Sequence, residues 1–149
     1  MTYNYPAQSF LSKAVLAGVF AGITATLSNL AYDYFFRLST EFSLSQIINV
    51  STIIFSTMLF CTVAGVIYFF MSKLRKGQMA YIILYAVLFF LSIRWGLHVN
   101  RSADLKVSEH FRELFLGIVC ISFLLATVFV PYLMNHQHIF LDENDPYVG

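Results

Sequence analysis

Four long apolar runs, separated by short polar connections, constrain this chain more than anything else in it. They cover about residues 14–36, 47–71, 79–97 and 114–134. Each is close to the ~20 residues a helix needs to cross ~30 Å of hydrocarbon. Soluble domains also contain apolar helices, so composition has to decide between water and lipid. Hydrophobic residues make up 58% of the chain and charged residues 11%, against roughly 45–50% and about 25% in an ordinary soluble domain. A soluble fold of 149 residues buries only roughly two-thirds of the surface its chain exposes, too little to hide this much apolar area. Lipid is the solvent that fits.

In lipid each backbone amide must find its partner inside its own segment or around a closed barrel. The runs are apolar on every side and do not alternate, which argues for helices. The expectation is therefore an all-α fold, an integral membrane four-helix up-down bundle, with residues 1–149 forming a single transmembrane domain. The connections run from Arg37 to Gln46, from Ser72 to Gln78 and from His98 to Glu113. The first holds Ser43-Leu-Ser-Gln as a candidate cap for the second helix. Ser108 and Glu109 are candidates for an early start of the fourth helix, and Pro131 is expected to kink or end it. The polar, acidic tail 135–149, with Asp142, Glu143 and Asp145, reads as flexible. The first apolar run is too long for a removable signal segment and is expected to be retained.

Four crossings put the N-terminus, the basic turn and the C-terminus on one side. That side carries Lys13, Lys73, Arg75 and Lys76, and the other carries Arg37, Arg101, Lys106 and Arg112. The bare count ties. The dense 73–76 cluster, hard against two helix ends, tips the expectation toward a multi-pass protein of the cell membrane with both termini cytoplasmic.

The first helix has the most informative face. Ala14, Gly18, Ala21, Gly22, Ala25, Asn29 and Asp33 fall within a ~120° arc at ~100° per residue. Gly18 and Gly22 have the G-x-x-x-G spacing that lets another backbone come close, so Gly18, Gly22 and Ala25 are expected to form a packing seam, within the bundle or between protomers. Asn29 and Asp33 continue that seam toward one end. An ionisable side chain inside a membrane usually faces protein or water. Arg94 and His98 sit one turn apart near the end of the third run, and Asn49 opens the second, followed on one face by Thr52 and Ser56. Asn29, Asp33, Asn49, Arg94 and His98 thus form a candidate polar layer at the outer end of the bundle. It reads either as an Asp33–Arg94 ion pair locking the helices or as a site for a ligand or ion. Trp95 and the aromatics Tyr32, Tyr34, Phe35 and Phe36 nearby are typical interface residues.

Other chemistry finds little support. Net charge is +1, so no basic surface advertises nucleic acid. Cys61 and Cys120 each lie inside an apolar run and read as small hydrophobes. There is no Cys-x-x-Cys, G-x-S-x-G, phosphate loop or His-Glu-x-x-His, so no catalytic residue, metal ligand or cofactor is assigned. A haem held by His98 and His110, or an ion held by His136 and His138, is the weakest alternative. The triplets Asn49-Val-Ser51 and Asn100-Arg-Ser102 fit the glycosylation pattern but recur by chance. The expected function is a non-enzymatic accessory or assembly subunit that docks on a membrane partner, or on itself, through helix faces. The alternative is a small transporter or binder of a lipophilic or cationic ligand using the polar layer.

Overall fold

The computed structural model describes residues 10–41, 48–98 and 105–136. Among them there are four helices: α1 (Phe10–Thr40), α2 (Val50–Ser72), α3 (Gly77–Gly96) and α4 (Leu105–Asn135). Each is long and apolar enough to cross a membrane. Successive helices are antiparallel neighbours. Ala14 lies against Gly65 and Arg37 against Ile48, Tyr68 against Tyr81, and Tyr81 against Ala126. The ring closes where α4 packs on α1, Asn29 meeting Ser122 and Phe36 meeting His110. By contrast, α1 and α3 lie diagonally across the bundle and barely touch.

The helix ends differ from the apolar runs for local reasons. α1 and α4 extend beyond their apolar stretches, to Thr40 and back to Leu105. The early turns of α4 bury Ser108 and Phe111 while keeping Lys106 and Glu109 on the outside, so the amphipathic segment adds to the helix. α2 starts at Val50 because Asn49, in extended conformation, accepts from the Thr52 amide at 2.9 Å. That is a standard N-cap; the Ser43–Gln46 candidate lies outside the described residues. Pro131 neither ends nor breaks α4, which runs on to Asn135 and closes with His136 N–H on the Tyr132 carbonyl at 3.1 Å. Proline removes one helical donor, but the turn it opens is held by buried Leu133 and Met134.

Between α2 and α3 the chain reverses in four residues, closed by amide bonds from Leu74 to the Met71 carbonyl and from Gly77 to the Leu74 carbonyl. A Cβ at Gly77 would collide with the Met71 carbonyl, so the tight reversal depends on glycine.

Two apolar clusters fill the interior. One joins the alanines of α1 to Tyr68, Tyr81, Tyr85, Phe123, Val130 and Met134. The other, nearer the opposite end, joins Ile48, Ile53, Phe111 and Leu114. Outside them the helices present large apolar side chains, among them Phe20, Leu27, Phe55, Ile83, Phe90 and Val128.

Candidate functional site

The α1 face anticipated from spacing is buried along its whole length: Ala14, Gly18, Ala21, Gly22, Ala25, Asn29 and Asp33 all point inward. Its small-residue half packs on α2 within the same chain. An ideal Cβ on Gly18 would sit 2.7 Å from the Cys61 carbonyl, and one on Gly65 would strike the Ala14 carbonyl and come 3.1 Å from the Gly18 Cα. The two backbones are therefore in contact at Gly18 and Gly65. Gly22 and Ala25 continue the seam, Gly22 against Met58.

Where the small residues stop, a polar layer separates the two apolar clusters. Asn29, fully buried, donates from Nδ2 to Ser122 Oγ on α4 at 2.8 Å and to Thr57 Oγ1 on α2 at 3.3 Å. Ser122 Oγ in turn donates to the Ile118 carbonyl. One amide thus ties three helices together in an interior where an unmet polar group is costly. Two buried atoms beside this junction have no hydrogen-bond partner, Asn29 Oδ1 and Thr26 Oγ1.

One turn further along α1, Asp33 is 5% exposed and pairs with Arg37, whose Nε lies 2.9 Å from Oδ1. Arg37 Nη2 reaches the Ile48 carbonyl at 3.0 Å. The expected partner, Arg94, is not brought to Asp33. It lies on the exposed side of α3, because first and third helices sit diagonally and the α1–α2 junction already offers a nearer cation. His98 is exposed too and its Nδ1 contacts the Arg94 carbonyl. Asn49 is occupied by the α2 cap, and Ser56 donates to the Thr52 carbonyl on the same exposed stretch. Of the five candidate layer residues, only Asn29 and Asp33 share the bundle interior.

Three residues that make interior hydrogen bonds are not among the sequence candidates: Thr57 and Ser122, which meet Asn29, and, separately, Tyr81. Tyr81 is fully buried, donates to the Ala126 carbonyl at 2.8 Å and packs its ring against that of Tyr85, tilted by 32° with centroids 4.5 Å apart. Tyr68 and Phe60 cover the pair edge-on. The signal was available, since Tyr81 and Tyr85 share one face of an apolar helix, and a buried phenol needs an acceptor.

The histidines stand apart. His110 meets the Phe36 ring edge-on, 6.3 Å between centroids, and His136 lies 4.3 Å from the Tyr132 ring; His138 lies outside the described residues. Among the described residues no group of three His, Cys, Asp or Glu side chains gathers to hold a metal. Cys61 is buried in the α1–α2 seam, whereas Cys120 faces outward. Compared with family models, curated proteins and solved structures, the chain matches none of them.

Proposed function

We propose that this chain crosses a lipid bilayer four times, with its basic end and both termini in the cytoplasm, and works there as a non-catalytic accessory or assembly subunit. What supports this is the use made of the interior polar groups. Asn29 links α1 to α2 and α4, and Asp33 with Arg37 fastens α1 to the entry of α2. These bonds join helix to helix. The small-residue seam is likewise taken up by α2. Of the apolar outer faces, that of α3 is the least committed to the bundle: the helix buries only Gly77, Tyr81, Tyr85 and Gly96 and presents Ile83, Val87, Phe90 and Trp95 outward. A membrane subunit recognises its partner through such a face by close packing.

Native mass spectrometry of the chain, extracted in mild detergent from the membrane that produced it, tests the reading. A second protein in fixed stoichiometry, lost when Ile83 and Val87 are replaced by Trp, supports it. A chain that leaves the membrane alone, or bound to itself through another helix, overturns it.

A second reading has one observation in its favour. Asn29 Oδ1 and Thr26 Oγ1 are buried without partners, as they would be beside the polar group of a small lipophilic or cationic guest. A reproducible adduct mass that disappears with Asn29→Leu would establish this binder; its persistence in that variant would remove it.

A further inference from the structure

Among the described residues, charge is distributed unequally between the two ends of the bundle. At the end formed by the start of α1, the α2–α3 turn and the close of α4, the charged described residues are Lys13, Lys73, Arg75 and Lys76; Asp142, Glu143 and Asp145 follow α4 in the tail, outside the described residues. The opposite end mixes Asp33, Glu41, Glu109 and Glu113 with Arg37, Arg94, Lys106 and Arg112. Lys73, Leu74, Arg75 and Lys76 are all exposed. The Lys73 ammonium lies 4.4 Å from the centre of the Phe69 ring and 5.8 Å from that of Phe70. Phe70 and Leu74 are themselves largely exposed, so apolar surface adjoins the cations on the bundle side.

We propose that this turn is a docking surface for the headgroups of anionic phospholipids. The complementarity is of charge and of depth. A phosphate diester that carries a net negative charge meets Lys73, Arg75 and Lys76, while its acyl chains lie along Phe70 and the outer face of α2. Arginine adds a planar donor fork suited to phosphate oxygens. Juxtamembrane cations attract anionic lipid over roughly a Debye length, and the tight Gly77 reversal keeps all three within four residues of the helix ends. Zwitterionic lipid offers the same phosphate without net charge and is not retained.

This inference rests on the bilayer reading above, and the experiment separates the two. The full chain is reconstituted in vesicles of phosphatidylcholine and phosphatidylglycerol, and flotation first shows whether it is membrane-embedded. A chain that fails to float removes the bilayer reading itself. Lipids that remain bound are then counted by native mass spectrometry from nanodiscs of the same composition. Phosphatidylglycerol is expected to be enriched over its bulk ratio by about fivefold or more, the factor associated with one interfacial cation. Lys73→Gln with Arg75→Gln and Lys76→Gln is expected to return the ratio to the bulk value. Lys106→Gln with Arg112→Gln, at the other end, is expected to leave the enrichment intact. The turn side chains are exposed, so the triple variant leaves the core untouched. Release of lipid at the bulk ratio by the unaltered chain, or undiminished enrichment in the triple variant, overturns the proposal. So does loss of the lipid to millimolar inorganic phosphate, which would assign the surface to a soluble anion.

Discussion

Arg37 reaches back one helical turn to Asp33, with Nε 2.9 Å from Oδ1, and at the same time donates through Nη2 to the Ile48 carbonyl. The pair is thus part of a clasp between the end of α1 and the beginning of α2. The carboxylate holds the guanidinium in place, and the guanidinium holds the neighbouring chain.

Removing the carboxylate leaves a largely enclosed cation with one acceptor fewer. Asp33→Ala is expected to destabilise the bundle by about 1–3 kcal/mol, the usual cost of an unmet buried polar group. Asp33→Ala combined with Arg37→Leu should lose less than the two single changes together, because the orphaned charge is gone. Thermal unfolding in detergent checks both; strictly additive losses would show that the clasp carries no coupling.

The α1–α2 seam distinguishes between glycines. A methyl at Gly65 meets the backbone carbonyl of Ala14, whereas at Gly22 the nearest atom is the Met58 sulfur at 3.0 Å, the flexible end of a side chain. Gly65→Ala is therefore expected to cost about 1–3 kcal/mol or more through overpacking, and Gly22→Ala distinctly less. Resistance to unfolding in a graded SDS titration should rank the two in that order, and the reverse order would contradict the observed backbone approach.

The inward face of α1 was legible in the sequence because small and polar residues recur on one side of an otherwise apolar helix, and small residues are what let backbones touch. The same spacing placed Asn29 and Asp33 inside. Their partners were not legible. Helical periodicity gives the face of a residue but not the neighbour across it, and an up-down bundle can place Asp33 beside the second or fourth helix while the third stays diagonal. Arg94 is a cation at a suitable depth in the third run, yet Arg37 stands one turn from Asp33 on the same helix. Ser122 and Thr57 are illegible in the sequence for a simpler reason. A single hydroxyl in an apolar run usually bonds its own backbone, as Ser122 does with Ile118, and only the fold shows that its oxygen also accepts from Asn29.

That shared oxygen can be weighed directly. A double-mutant cycle on Asn29→Ala and Ser122→Ala is expected to give a coupling of about 0.6 kcal/mol and at most about 1.7 kcal/mol, the range found for hydrogen bonds between membrane helices. A coupling indistinguishable from zero would reduce the junction to packing alone.

Tyr81 offers a cleaner deletion. Tyr81→Phe keeps the ring against Tyr68 and Tyr85 but removes the donor to the Ala126 carbonyl. A loss of about 0.5–1.5 kcal/mol is expected, visible as a lower unfolding midpoint in detergent. An unchanged midpoint would mean that the hydroxyl is replaceable there.

Orientation can be read with membrane-impermeant thiol reagents. In a background with Cys61→Ala and Cys120→Ser, Arg75→Cys is expected to be labelled only after the cells are opened, and Lys106→Cys in intact cells. The opposite pattern would place the basic turn outside the cell.

The bond between Asn29 and Ser122 joins residues 93 positions apart, and this sets an order on events during synthesis. Once α1, α2 and α3 have been made, Asn29 has Thr57 as a partner but still lacks Ser122. Only the last helix supplies that partner, and it does so by passing α3 to lie against α1. A chain halted before α4 therefore leaves the Asn29 amide one acceptor short, a mark of incompleteness that vanishes when the final helix arrives.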